Sequence, residues 1–143
     1  MKKKALIFGV SGQDGTFLSK FLLKKNYEVY GITRTMKQKF NFDEKKIKLI
    51  ELSVIDKNKI NYLIKNVKPN EIYNLSGLSS VAQSYKKIED TFRSIVDLNY
   101  YILEALLNFK NIKYYNACSS ECFGDTGNKK ADENTTFKPL SPY

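Results

Sequence analysis

The sequence predicts an α/β fold with a doubly wound parallel sheet, and three observations support this prediction. Short apolar runs alternate along the chain with amphipathic segments of helical period. The first apolar run is continuous, as expected of a strand covered on both faces. A glycine-rich turn follows that run directly and opens the first helical segment. Sheets of this class bind ligands at the carboxyl ends of their strands, so functional residues are expected after strands one, two, four and five.

Five strands are predicted, each as a short run bounded by glycine, proline or polar segments. They cover residues 5–8, 27–32, 47–52, 71–75 and 112–117. The segment 35–45 is polar and is predicted to be a loop. From Ser119 onward glycines and prolines interrupt the pattern, so this part is predicted to be irregular.

Helical periods occupy the intervals between the strands. The first helix is predicted to carry an apolar face opposite a lysine face and to stop near Asn26. A second helix is predicted to end before Pro69, because proline disfavours helical geometry in the residue before it. The third follows the helical period over 92–106. The apolar face of the first helix consists of Phe17, Leu18, Phe21 and Leu22.

The turn over residues 9–15 has the pattern Gly-x-x-Gly-x-x-Gly between a strand and a helix. Glycines permit a tight turn and a close approach of the backbone to a pyrophosphate, while the helix N-terminus offers free N–H groups. A structural turn without a ligand is the alternative. The residues of this predicted phosphate turn are Gly9, Val10, Ser11, Gly12, Gln13, Asp14 and Gly15.

The second strand runs into Thr33 and Arg34, without an acid at its end. An acid there usually holds the ribose hydroxyls of NAD, whereas a guanidinium matches the geometry of a 2′-phosphate. Arg34 therefore indicates NADP, the alternative being an ordinary surface arginine.

The fifth strand leads into Ser119-Ser120-Glu121, and the sequence closes on Ser141-Pro142-Tyr143. With the glycine turn and the stretch 73–75, these motifs resemble the extended short-chain dehydrogenase/reductases, and among them the GDP-mannose 4,6-dehydratases. The resemblance covers nearly the whole chain. It implies a Rossmann-like NADP-binding domain over residues 1–143, C-terminally truncated and without the substrate domain.

The resemblance also implies residue roles. Tyr143 would accept the proton of the sugar 4-hydroxyl during a transient oxidation at C4 by NADP. Ser119 would hydrogen-bond the oxygen at C4, and Glu121 would remove the C5 proton so that the C6 hydroxyl leaves. The product would be GDP-4-keto-6-deoxymannose, the complete enzyme a homo-oligomer. Further cofactor-binding positions are expected at Ser53, Val54, Leu75, Ser76, Gly77 and Ser79.

Three features depart from the family pattern. The lysine due four residues after Tyr143 is not in the sequence, so this chain alone is expected to be inactive. Ser53 stands where the family has an adenine-contacting Asp, and Leu98-Asn99 stands where its long helix has Gly-Thr. Two alternatives follow: another nucleotide-sugar epimerase or reductase of the extended family, or a non-catalytic NADP-binding remnant.

Composition excludes several other classes. The net charge is +9, but the lysines are scattered and only two arginines occur, so a nucleic-acid partner is not expected. No apolar run reaches membrane-spanning length, and no signal peptide is apparent, so a cytoplasmic protein without a membrane partner is expected. The two cysteines without any histidine predict free thiols and no metal site.

Overall fold

A computed structural model describes residues 2–53 and 55–143. Strands and helices alternate until the fifth strand. The strands are β1 Lys4–Phe8, β2 Glu28–Thr33, β3 Lys48–Glu51, β4 Glu71–Asn74 and β5 Lys113–Asn116. The helices are α1 Gln13–Lys24, α2 Lys57–Val67, α3 Val81–Ser84, α4 Ile88–Phe92 and α5 Leu98–Leu106, with 3-10 turns at Glu44–Lys46 and Ser120–Phe123.

The five strands form one parallel sheet in the order β3-β2-β1-β4-β5. The order reverses direction at β1, where β2 pairs on one side and β4 on the other. This confirms the predicted doubly wound parallel sheet and places a topological switch point between β1 and β4.

Burial of β1 explains its continuous apolar sequence. Leu6 and Phe8 join a cluster with α2 and α5, while Ala5 and Ile7 join a cluster on the opposite face with Leu22 of α1. Alternate side chains of a strand point to opposite faces, so a strand between two helix layers must be apolar at every position.

The second helix ends before Pro69, as its sequence predicts. Asp56 caps its N-terminus by accepting a hydrogen bond from Lys59 N at 2.9 Å. At its C-terminus Lys68 adopts a left-handed conformation just before Pro69. The buried side is Ile60, Ile64 and Val67.

Half of the predicted apolar face of α1 packs inward, since Leu22 is buried and Leu18 packs against the core. Phe17 is 64% exposed and Phe21 53% exposed, whereas Gly15, Ser19 and Leu22 are buried. The helix is rotated because Gly15 lies against the carbonyl oxygen of Gly9, a contact that leaves no room for a side chain there. Close packing at the start of the helix therefore overrides the larger apolar residues.

The third predicted helix is longer than expected and contains a π-helical turn. It extends from α4 through the π turn Arg93–Asp97 into α5. Its inner side buries Thr91, Leu98 and Ile102. Its outer side carries an exposed apolar row: Phe92, Val96, Tyr100, Leu103 and Leu107. Within residues 2–53 and 55–143, no helix combines the length and apolar character required to cross a membrane.

Two tyrosines predict an alkaline limit to stability. Burial raises the pKa of Tyr114 to about 12, and burial with the Glu71 carboxylate raises the pKa of Tyr73. Because an unfolded tyrosine titrates near ~10, both phenols favour the folded state below that pH, and this contribution is lost as the pH rises toward the folded pKa. We expect Tm to fall above about pH 10. The fall should be shallower in Tyr114→Phe, which lacks the buried phenol, than in the control Tyr62→Phe, which alters an exposed tyrosine. Equal slopes in the two variants would contradict this.

Candidate functional site

A cleft of about 430 Å³ lies at the carboxyl ends of the strands. Its walls are the turn after β1, the residues that follow β2 and β3, the loop after β4, and one side of the helix that contains α4 and the π turn. The cleft therefore lies at the switch point between β1 and β4, where doubly wound sheets bind their ligands.

The glycine turn is held tightly against its neighbours. Gly9 has φ +80°, and its N–H donates to Ile32 O at 3.2 Å. A Cβ atom on Gly9 would lie 2.8 Å from Leu75 O, so the turn after β1 and the loop after β4 touch here. Only glycine combines this backbone conformation with such an approach.

The turn delivers the N-terminus of α1 to the cleft. Gly12 is the N-cap, has no side chain to bond the first N–H groups, and itself lines the cleft. Thr16 N donates to Gly12 O at 2.9 Å, which fixes the first turn of the helix. A helix start with uncapped N–H groups favours an anion such as a phosphate.

The cleft is positively charged. Arg34 stands directly after β2, and Lys87 and Arg93 face the same space from the α4 side. Asp90 is the acid on that wall, so cations outnumber acids three to one among the lining residues. This charge balance suits a ligand with more than one phosphate.

The helix wall was missed by the sequence analysis. Lys87, Asp90 and Arg93 line the cleft at intervals of three residues, with Ser94 next to Arg93, which places them on one side of the helix. The polar stripe is visible in the sequence, but any solvated helix has such a stripe. Only the packing of α5 against α2 directs it toward the cleft.

The structure brings together part of the predicted cofactor set. The cleft is lined by Gly9, Ser11, Gly12, Arg34, Ser53, Leu75, Ser76 and Gly77. Five others lie outside its lining: Val10 and Gly15 are buried, and Gln13, Asp14 and Ser79 are exposed. Val10 packs into the core against Gly31 and can offer only its backbone. Val54 falls outside the described residues.

The predicted catalytic residues lie beyond β5, around the Ser120–Phe123 turn. Ser119 is the N-cap of this turn, and its Oγ accepts a hydrogen bond from Glu121 N at 3.2 Å. Because the hydroxyl acts there as an acceptor, its proton stays available for a second partner. Glu121 is exposed and lines an open depression of about 470 Å³ with Ser120 and Leu140.

The C-terminal segment folds back over this turn. Lys138 N donates to Cys122 O at 2.9 Å, and the rings of Phe123 and Phe137 are 5.4 Å apart. The Tyr85 hydroxyl donates to Leu140 O at 2.7 Å. These contacts return the segment that ends in Tyr143 to the region of Ser119 and Glu121. Tyr143 is half-buried and lines neither the cleft nor the depression.

Side chains that could ligate a metal ion are dispersed in the described part of the chain. In residues 2–53 and 55–143, no three histidine, cysteine or acidic side chains come together as a metal site. Cys118 and Cys122 are free thiols, the first exposed and the second half-buried.

Comparison with known proteins finds relatives that match almost the whole of this chain. A family model described as GDP-mannose 4,6 dehydratase matches residues 6–143. A GDP-mannose 4,6-dehydratase of Vibrio cholerae is 38% identical over 100% of this chain and 42% of its own length. One of Drosophila melanogaster is 37% identical over 99% of this chain and 40% of its own. The chain thus spans about two fifths of these relatives.

Solved structures show the same fold at low identity. The UDP-glucose 4-epimerase of Thermotoga maritima, solved with UDP-glucose, superposes with a TM-score of 0.84 at 19% identity, over 98% of this chain and 46% of that one. The Thermus thermophilus UDP-glucose 4-epimerase, solved with NAD, gives 0.84 at 20% identity, over 98% and 46%. At such identities the likeness extends to the fold alone.

Proposed function

Because the chain belongs to the GDP-mannose 4,6-dehydratase family, we propose that it is the cofactor-binding part of an enzyme that converts GDP-mannose to GDP-4-keto-6-deoxymannose. The observation that carries this proposal is a family match over residues 6–143 that includes both the glycine turn and the Ser119–Glu121 stretch. Residues 1–143 would then form the dinucleotide-binding domain.

The cleft fits a nicotinamide dinucleotide. Gly9 and Gly12 let the backbone approach a pyrophosphate closely, and the start of α1 supplies N–H groups and a positive dipole. Arg34, Lys87 and Arg93 provide opposite charge. When bound, the dinucleotide would supply removal of hydride from the sugar C4, which makes the C5 proton acidic, and return of that hydride to C6 after the C6 hydroxyl has left, so that C4 remains a ketone.

The residues around β5 would perform the proton transfers. Tyr143 would accept the 4-hydroxyl proton, and Ser119 would donate a hydrogen bond to the oxygen at C4, with the proton that its capping bond leaves free. Glu121, exposed on the Ser120–Phe123 turn, would take the C5 proton as the C6 hydroxyl leaves. The test is incubation of the protein, with whatever sequence its gene encodes after Tyr143, with GDP-mannose and NADP⁺. Recovery of unchanged GDP-mannose would refute the proposal.

We further propose that the cofactor is NADP rather than NAD. Arg34 is exposed, follows β2 directly and lines the cleft, where a guanidinium can hold a 2′-phosphate with two parallel hydrogen bonds. Lys87 and Arg93 on the opposite wall add attraction for a third phosphate.

We expect Arg34→Ala to weaken NADP binding by about 10- to 100-fold, because a charged hydrogen-bonding partner contributes roughly 1.5–3 kcal/mol. NAD binding should change less than about threefold, because NAD lacks the 2′-phosphate. Titration calorimetry with both nucleotides measures this. Lys39→Ala is the control, since Lys39 is an exposed cation of the adjacent loop that does not line the cleft. Equal losses for NAD and NADP in Arg34→Ala would show that Arg34 does not read the 2′-phosphate.

The exposed apolar row on α4 and α5 supports the proposal that the enzyme is a homo-oligomer. Phe92, Val96, Tyr100, Leu103 and Leu107 are each at least 46% exposed. Their intervals of three or four residues place them along one helix face, as in helix pairs that pack between subunits. A second copy would remove this row from water.

A further inference from the structure

A chain of side-chain hydrogen bonds connects the cleft to the turn that carries Ser119. It begins at Asn74, the last residue of β4, which is 3% exposed. Asn74 Oδ1 accepts from Ser76 Oγ at 2.7 Å and from Ser76 N at 3.3 Å. Its Nδ2 donates to Asn116 Oδ1 at 2.9 Å. Since Ser76 lines the cleft, the Asn74 carboxamide joins that wall to β5.

Asn116 extends the chain toward Ser119. It is the last residue of β5 and lies beside Asn74 in the sheet register. Its Nδ2 donates to Cys118 Sγ at 3.3 Å, and Cys118 immediately precedes Ser119. The Tyr114 hydroxyl, which donates to Asn99 Oδ1 at 2.5 Å, is 3.3 Å from Asn116 Oδ1. Asn116 is therefore held from two sides.

The strands do not need these carboxamides to pair. Backbone bonds already join this end of the sheet, from Ala117 N to Asn74 O at 2.9 Å and from Leu75 N to Phe8 O at 3.0 Å. A leucine would fill a similar volume without a buried amide that must be satisfied. What the carboxamide adds is a fixed direction for the groups bonded to it.

We propose that Asn74 and Asn116 are positioning residues that hold Ser76, on the cofactor side, and the Cys118–Ser119 segment, on the catalytic side, in one hydrogen-bonded unit. Occupancy of the cleft then changes the environment of Cys118. The effect of cleft occupancy on Cys118 rests on the proposed NADP site, whereas the positioning role of Asn74 and Asn116 concerns the ligand-free protein. Asn74 and Asn116 need not touch substrate or cofactor, because they act through Ser76 and Ser119.

The test uses the alkylation rate of Cys118 as its readout, in a Cys122→Ser background that leaves one thiol. Without ligand, Asn74→Asp should change this rate at least threefold. The substituted oxygen faces Asn116 Oδ1 and forces that amide away from Cys118. Asn61→Asp, the same change at an exposed position of α2, should leave the rate within about 1.5-fold. An unchanged rate in a folded Asn74→Asp variant would overturn the connection. If that variant does not fold, Asn116→Ser, which removes the donor to Cys118, replaces it under the same criterion.

The ligand arm compares the Cys122→Ser protein with its Ser76→Ala derivative at saturating NADP. NADP should change the alkylation rate at least twofold in the first and less than 1.3-fold in the second, with binding of NADP measured independently by calorimetry. An equal change in both would mean that NADP shields Cys118 directly, which would overturn the coupling. Bound NADP without any change in rate would also overturn it. Absence of NADP binding would instead refute the proposed cofactor site, and the ligand-free comparison would still decide the role of Asn74.

Discussion

Replacing Gly15 by alanine is expected to destabilise the protein by about 3 kcal/mol or more, the cost of forcing an atom into filled backbone space. A Cβ atom there would overlap the Gly9 carbonyl oxygen and lie 2.7 Å from Val10 Cα. Both neighbours are backbone atoms of the turn, which cannot move without displacing Gly9 from its bond to Ile32 O. For a domain of this size, Tm should fall by roughly 10 °C.

The matched control is Gly12→Ala in the same turn. Gly12 has an extended conformation with φ −71°, and its Cβ would meet Gly9 O at 3.3 Å, an approach that small shifts can relieve. This variant should lose less than about 1 kcal/mol. Thermal and denaturant unfolding of both variants measures the difference. Equal stability of the two would show that the start of α1 is not packed against the turn as described.

Loss of NADP binding should accompany the loss of stability in Gly15→Ala. Gly9 and Gly12 both line the cleft, and a shift of the Gly9 carbonyl, which accepts a hydrogen bond from Gly12 N, changes the position of both. At a temperature where the variant is still folded, its NADP affinity should be at least about tenfold lower, because displaced N–H groups no longer reach a phosphate. This separates distortion of the site from unfolding.

Glu121→Gln is expected to lower the dehydration rate of the complete enzyme by about 10²- to 10⁴-fold, the usual contribution of a general base. The glutamine has the same shape but cannot accept the C5 proton. The variant should fold normally, because Glu121 is exposed and its backbone N–H keeps the bond to Ser119 Oγ. Affinity for NADP should stay within about twofold, since Glu121 does not line the cleft.

Glu133→Gln is the matched control for Glu121→Gln. Glu133 is an exposed glutamate in the irregular C-terminal part and lines neither the cleft nor the depression beside Glu121. The Glu133→Gln variant should have the dehydration activity of the wild type. Steady-state turnover of GDP-mannose compares the two variants. Wild-type dehydration by Glu121→Gln would remove Glu121 from the mechanism and leave the base to another group.

Patterns between residues close together in the sequence predicted most of the strands and helices. The run before Gly9 is apolar because β1 is covered on both faces of the sheet. This apolar pattern does not depend on which strands pair with β1. The end of α2 followed from Pro69, which restricts the residue directly before it. The position of Arg34 at the cleft followed from its place directly after β2.

Other features depended on residues that are distant in sequence. The rotation of α1, which exposes Phe17 and Phe21, results from the contact between Gly15 and Gly9. The direction of Lys87 and Arg93 results from the packing of the helix that continues into α5. Helical period alone does not decide which face of either helix is turned inward. In α1, the glycine turn fixes the first residues of the helix and outweighs the apolar stripe.

The sequence by itself determined the five-stranded parallel architecture, the phosphate-type turn and the family of the chain, since these depend on patterns within a few residues of each other. Tertiary structure alone decided that Asn74 meets Asn116, 42 residues away. The reason is that side-chain pairing across a sheet is set by strand order and register. A one-residue change in register would point either asparagine to the opposite face without altering the apolar pattern of β1.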